Sequence, residues 1–192
     1  MLKTVILWMA ATGAALAMHT GEVNINNEDI EAELKFDMGQ FNSQLDVDSI
    51  YIGGRYIYAD KKGDADELIE ISYLMQKPLQ KMPDLRIGIG FKLNYSSVHS
   101  YDFVSLPLGL EARYRLPLDT IVPLYVGSKL YYAPSVLSFS DADSYFEWKV
   151  NMDIEVIERG LITLGYRYID TDYQRSDVKF NRAAFVGFKF VF

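Results

Sequence analysis

The chain has 192 residues, a net charge of −7, no cysteine and a hydrophobic fraction of 49%. The acidic balance argues against nucleic acid as a partner, because phosphates call for a basic stripe. Without cysteine there is neither a disulfide framework nor a lipid-anchoring thiol.

At the N-terminus, Lys3 supplies a positive charge, residues 5–11 a short apolar stretch, and Ala15-Leu16-Ala17 an A-x-A site. These are the parts of an export signal, and they predict cleavage after Ala17. The expected division is a signal peptide over 1–17 and a mature domain over 18–192. Beyond residue 17 no apolar run approaches the roughly 20 residues of a membrane-spanning helix. A membrane protein of this sequence must therefore be a closed β-barrel, the other structure that satisfies every backbone group in lipid.

The segments that follow alternate with a period of two, which puts apolar and polar side chains on opposite faces of a strand. Val23 and Ile25 alternate within 19–26, ahead of an Asn26-Asn27 turn. In 30–38, Ile30, Ala32, Leu34, Phe36 and Met38 oppose Glu31, Glu33, Lys35 and Asp37. In 50–58, Ile50, Ile52, Tyr56 and Tyr58 oppose Gly53 and Arg55. Ile69, Ile71, Tyr73 and Met75 face away from Glu70 and Ser72, and Leu85, Ile87, Ile89, Phe91 and Leu93 from Arg86, Gly88, Gly90, Lys92 and Asn94. Leu106, Leu108, Leu110, Ala112 and Tyr114 oppose Gly109, Glu111, Arg113 and Arg115. Leu124, Val126, Leu130 and Tyr132 oppose Gly127 and Lys129. The run 146–156 is the most regular: Phe146, Trp148, Val150, Met152, Ile154 and Val156 alternate with Glu147, Lys149, Asn151, Asp153 and Glu155. Ile162, Leu164, Tyr166 and Tyr168 oppose Thr163, Gly165 and Arg167, and Ala184, Val186, Phe188, Phe190 and Phe192 oppose Gly187 and Lys189.

The connections fall into two alternating classes. Residues 60–67, 96–102, 134–144 and 171–177 are polar and acidic, whereas 39–48, 77–84, 117–123 and Glu158-Arg159-Gly160 include the proline-marked turns. The acidic class is assigned to the outside and the other to the periplasm. A descending final strand leaves Phe192 at the periplasmic rim, and counting back from it requires a rising strand in 19–26. The expectation is thus an all-β, antiparallel transmembrane β-barrel of ten strands, an even number as bacterial single-chain barrels have, with eight as the alternative.

Alternation alone does not say which face meets lipid, since a soluble lipocalin-like binding barrel turns its apolar face inward. Gly53, Gly88, Gly90, Gly109, Gly127, Gly165 and Gly187 all share the polar face, where glycine makes room inside a narrow barrel and has no use on a convex surface. Tyr56, Tyr58, Tyr131, Tyr132, Tyr166 and Tyr168 gather at strand ends near the acidic connections, as an interfacial aromatic girdle does. Both favour apolar side chains facing lipid.

The ending Gly187-Phe188-Lys189-Phe190-Val191-Phe192 resembles the C-terminal signal by which outer-membrane proteins are recognised for insertion, with Gly187, Phe190 and Phe192 in its fixed positions. Phe185 stands where that pattern usually has a polar residue. The resemblance implies the barrel-assembly machinery and outer-membrane lipids as partners. The mature chain also resembles the YfaZ family of outer-membrane proteins through Val104-Ser105-Leu106-Pro107-Leu108-Gly109-Leu110-Glu111-Ala112-Arg113-Tyr114, Leu130-Tyr131-Tyr132-Ala133-Pro134 and Gly165-Tyr166-Arg167-Tyr168-Ile169-Asp170. That likeness implies a small barrel in the outer membrane of a Gram-negative bacterium and brings no catalytic residue.

The polar face places Lys35, Arg55, Arg86, Lys92, Arg113, Arg115, Lys129, Lys149, Arg167 and Lys189 in the lumen, against Glu31, Glu33, Asp37, Glu70, Glu111, Glu147, Asp153 and Glu155. In so narrow an interior, long side chains should meet and pair. Arg55, Glu70, Arg86, Glu111, Arg113, Lys129, Glu147, Asp153 and Arg167 are the expected charge network, serving as a structural plug or lining a narrow, porin-like pore. His99, among Ser97, Ser100 and Asp102, is the one candidate for a lipid-modifying site; His19 reads as a frayed terminus. No cofactor motif occurs, so catalytic, cofactor and metal residues are set at none and the protein is read as no enzyme. Asp60, Asp64, Asp66, Glu67, Asp141, Asp143, Asp170, Asp172 and Asp177 in the acidic connections could share divalent cations with anionic headgroups.

Overall fold

The computed structural model describes residues 19–61, 64–98, 101–118, 122–140, 142–173 and 176–192. The expected cleavage residues Ala15 and Ala17, His99 and Asp141 lie outside them. The strands are β1 (Thr20–Ile25), β2 (Asp29–Asp37), β3 (Ile50–Lys61), β4 (Asp64–Leu79), β5 (Met82–Val98), β6 (Tyr101–Ser105), β7 (Leu108–Arg115), β8 (Leu124–Ala133), β9 (Ser138–Ser140), β10 (Ala142–Ile157), β11 (Gly160–Tyr173) and β12 (Ser176–Val191). Single 3-10 turns occupy Met38–Gln40 and Ser135–Leu137, and there is no α-helix among the described residues.

Every pairing is antiparallel, and the sheet closes through β1 with β12. β6 and β7 run end to end along β5, interrupted at Leu106-Pro107, and β9 continues β8 after Pro134 and its 3-10 turn. Twelve segments thus make a barrel of ten strands. The breaks fall where proline withholds an N–H from the ladder, so the single strand expected over 106–114 is really the lower half of a broken one. At the closing seam His19 N–H donates to the Phe192 carbonyl at 2.6 Å, and Phe192 N–H returns to the His19 carbonyl at 2.8 Å. The first turn is built by Asn26, whose Oδ1 accepts from the N–H groups of Glu28 and Asp29 at 2.7 and 2.9 Å.

The orientation of the faces is unambiguous. Trp148 is 41% exposed and Leu108 55%, while Glu147 and Lys149 are 0% and 1%. The apolar set covers the outside and the charged set fills the inside, the arrangement of a lipid-facing barrel and the inverse of a lipocalin.

The acidic connections are shorter than expected. Asp60 pairs with Ala65 and Lys61 with Asp64, β5 reaches Val98, and β11 and β12 continue to Tyr173 and Ser176. Residues 60–67, 96–102 and 171–177 are therefore mostly ladder. β5 has 17 residues, more than the roughly 9–11 needed to cross the hydrocarbon of a bilayer. Hairpin pairing tolerates charged side chains that point into water, which is why acidity alone misplaced the strand ends.

Inside this acid-flanked end lies an apolar layer: Ile57, Leu68, Phe103, Ala133, Tyr145 and Ile169, with Leu137 against them. Phe103 and Tyr145 stack with ring centroids 5.8 Å apart. Ile57 is two residues on from Arg55 and shares its face, so parity places it inward however apolar it is.

Candidate functional site

The lumen is sorted by height. Directly beneath the apolar layer sits a buried cluster around Glu147 of β10. Its carboxylate accepts from Arg55 Nη1 and Nη2 at 2.5 and 2.9 Å, from Lys92 Nζ at 2.7 Å and from the Tyr145 hydroxyl at 2.9 Å. Glu70, the cross-strand partner of Arg55, lies 2.5 Å from its Nη2 and 3.2 Å from Lys92. Lys92 also rests on the Tyr131 ring, 3.9 Å from its centroid. Beside this cluster, Arg167 of the opposite wall from Arg55 is held by Asp29 at 2.6 Å and by Glu31, and Lys149, two residues on from Glu147, by Glu31 and Glu22 at 2.6 and 2.9 Å. Desolvated charges at this depth persist only when paired and hydrogen-bonded, and these are.

One storey lower the network continues through Lys129–Glu33 at 3.0 Å, Lys35–Glu111 at 3.2 Å and Lys189–Asp153 at 2.7 Å. The Tyr131 hydroxyl donates to Glu111 at 2.8 Å. A cavity of about 230 Å³ opens among these groups and meets a second of about 420 Å³ at the mouth beside the end of β12; Asp48, Arg113 and Val191 line both. Arg86 is at this mouth, 2.5 Å from Asp48. Arg113 is there too, with Asp153 at 3.9 Å.

The residues expected in the network thus divide into four places. Arg55, Glu70 and Glu147 form one cluster; Arg167 belongs to the opposite wall; Glu111, Lys129 and Asp153 lie lower, while Arg86 and Arg113 stand at the mouth. Sequence reasoning missed Glu22, Asn24, Asp29 and Asp48. Asn24 donates to both Glu22 and Glu31, at 2.7 and 2.8 Å. Glu22 and Asn24 alternate with Val23, and Asp29 shares parity with Glu31, so the period of two could have found these three; Asp48, on the parity of the outward Ile52, carried no such signal.

His19 corrects the expectation of a frayed terminus. It is fully buried, its Nδ1 accepts from Asp37 N–H at 3.0 Å, and its ring sits 5.4 Å from Phe41 and 5.3 Å from Phe36. Gly187 sits against Asn24 within the β1–β12 ladder, and Phe190 faces outward. Phe185, the departure from the insertion pattern, turns into the lumen opposite Gly165, where a Cβ would strike its ring. Lys149 lies 4.9 Å over that ring, so an aromatic side chain is a working part of the interior.

Among the described residues, metal chemistry has one geometric opening. Glu22, Glu31 and Glu33 offer carboxylate oxygens within 4.8 Å of one another. Lys149, Lys189 and Lys129 already stand against them at 2.9, 3.1 and 3.0 Å, in the place a divalent cation would take. In the acidic connections, Asp66 is buried, Asp170 accepts from Tyr168 at 2.6 Å and Asp172 from Ser144 at 2.7 Å.

No curated protein matches the chain. Among solved structures it is similar to one described as "Bacterial polysaccharide outer membrane secretin", with TM-score 0.50 and 12% identity over 85% of this chain and 56% of that one. The chain spans little more than half of that protein, and the likeness is one of fold. A second, described as "Unveiling the Mechanism Behind the in-meso Crystallization of Membrane Proteins", aligns over 91% of this chain and 83% of that one at 12% identity, with TM-score 0.37. The family model described as "YfaZ precursor" matches residues 4–192. With an outward apolar face, a charged lumen and a match over nearly its whole length, the chain belongs to the YfaZ precursor family.

Proposed function

We propose that the protein is an occluded barrel of the outer membrane of a Gram-negative bacterium, with a structural role and no reaction of its own. On this reading residues 1–17 direct export and are removed after Ala17. The C-terminal strand, through Gly187, Phe190 and Phe192, engages the barrel-assembly machinery, and outer-membrane lipids surround the apolar face.

One observation carries the reading. Arg55, Glu70, Lys92, Glu147, Lys149 and Arg167 point to the barrel axis and none is more than 3% exposed. A standing water column would leave such side chains wet; here they are neutralised by one another, and the apolar layer lies above them. The lower cavities favour the porin-like reading, since a gap in that one storey would connect them to the far side.

Planar-bilayer recording of the purified barrel separates the two. A flat baseline is expected from the unaltered protein, with steps appearing in Arg55→Ala/Lys92→Ala. Sustained unit conductance in the unaltered protein would establish the pore and end the occluded reading.

A further inference from the structure

We propose that the mouth of the lumen beside the end of β12 is an anion site, in which Arg113, Arg115 and Arg159 receive a ligand bearing two or more carboxylate or phosphate oxygens. In the storeys above, the lysines and arginines that fill the lumen meet carboxylates across it. At the mouth that rule lapses. Among the described residues the side chains of Arg115 and Arg159 make no ion pair, and Arg113 has only Asp153, at 3.9 Å. That carboxylate is already engaged by Lys189 at 2.7 Å and Thr163 at 2.9 Å. Nε of Arg113 is buried without a hydrogen-bond partner.

The placement adds to the charge argument. Arg86 and Arg113 are direct cross-strand partners on β5 and β7, and Arg115 follows on the same face. Like charges set opposite one another are destabilising. Lys149 likewise faces Lys129 and Arg167, but Glu22, Glu31 and Glu33 reach across the lumen to those cations. At the mouth, among the described residues, Asp48 holds Arg86 at 2.5 Å, and Arg113 has no more than the distant Asp153. Four arginines thus line the mouth cavity against Asp48, Asp84 and Glu155, leaving an excess of one positive charge (four minus three).

The guanidinium of Arg113 is also held ready. Arg113 lies 4.3 Å over the Tyr125 ring, and the Tyr125 hydroxyl donates to Glu155 at 3.2 Å, which fixes the ring. A stacked guanidinium keeps its edge free for the paired contacts that suit carboxylate and phosphate oxygens. The mouth cavity, about 420 Å³, has the size of a small-molecule site, typically about 300–1,000 Å³. Such oxygens come from a soluble periplasmic anion or from an inner-leaflet phospholipid headgroup. The inference borrows the proposed orientation only to name the compartment the mouth faces; binding in detergent does not depend on whether the barrel conducts.

The test uses the full barrel, purified in a neutral detergent and titrated calorimetrically with inorganic phosphate and with citrate at low salt. A soluble ligand predicts saturable binding that weakens about tenfold or more in Arg113→Gln/Arg115→Gln, the loss of roughly one charge-assisted contact. A headgroup ligand predicts no binding of either ion. Instead, phosphatidylglycerol should be retained through purification from mixed phosphatidylglycerol–phosphatidylcholine vesicles, and lost in the same variant. Either result supports the site. Binding or retention that the variant leaves unchanged overturns it, as does the absence of both. Should the double variant lose heat-modifiable mobility, Arg159→Asn gives the same readout, because φ at that turn is 62° and asparagine tolerates the left-handed region.

Discussion

Replacing Glu147 by leucine should be among the most damaging single changes in the lumen. The leucine fills part of the vacated space but removes the acceptor for Arg55 and Lys92 together. Arg55 would keep Glu70 at 2.5 Å and Glu31 at 3.8 Å, and Lys92 only Glu70 at 3.2 Å, so one carboxylate would serve two buried cations. Breaking a buried pair costs about 3–5 kcal/mol, and the retained contacts with Glu70 place the expected loss near the middle, about 4 kcal/mol. Adding Lys92→Met removes one of the stranded cations and should restore roughly 1–2 kcal/mol, a coupling that additive sites do not show. The assay is urea unfolding of the barrel in vesicles, followed by Trp148, the sole tryptophan of residues 18–192 and a lipid-facing one. A loss below about 1 kcal/mol, or a double variant as unstable as the two singles summed, would refute the claim that these charges are dry and interdependent.

Three further outcomes follow from other parts of the wall. Leu164→Arg puts a cation on the lipid face of β11 and should cost roughly 2–4 kcal/mol if that residue lies near the midplane, read as a lower folded fraction in vesicles. Unchanged folding would speak against lipid contact there. His19→Ala removes the acceptor for Asp37 N–H and a ring among Phe36, Phe41 and Phe192; a loss of about 2–4 kcal/mol is expected in the same unfolding assay. A frayed terminus would lose nothing. Phe185→Ser brings the C-terminus closer to the usual insertion pattern yet should destabilise the barrel by about 3 kcal/mol or more, because it empties the space over Gly165; a gain in stability would show that the ring is not a packing element.

Much of this architecture was legible because side-chain parity is local. A period of two fixes which residues share a face, so the inward set of Glu147, Lys149 and Asp153 needed no knowledge of the neighbouring strands. The number of strands also followed, from the need to close an even barrel. Two things were not local. Where a strand ends depends on its partner, and the paired ends of β3 with β4 and of β11 with β12 carry acidic residues that read as loop. Which charges meet across the lumen depends on closure and register: Arg55 and Glu147 are 92 residues apart in sequence, and nothing in either neighbourhood names the other. The apolar layer at Ile57, Leu68 and Ile169 was hidden for a different reason. Its members lie on the inward parity, where a charge was the expected occupant.

The charged lumen has a physical logic that an apolar one would lack. A ten-stranded barrel is wider than the eight-stranded kind whose interior side chains only just fill, and residues with long flexible stems reach furthest toward the axis. Lysine, arginine and glutamate have that reach, and from opposite walls they meet in pairs that cancel charge, as Lys149 does with Glu31 and Lys129 with Glu33. Polar alternation serves a second end before folding. A strand such as β10 with both faces apolar would be an aggregation-prone segment in water, whereas Glu147, Lys149, Asp153 and Glu155 keep it hydrated until closure. The same side chains therefore do opposite work in the two states: solvated one by one, they hold the chain in solution, and buried together, they neutralise one another inside the barrel.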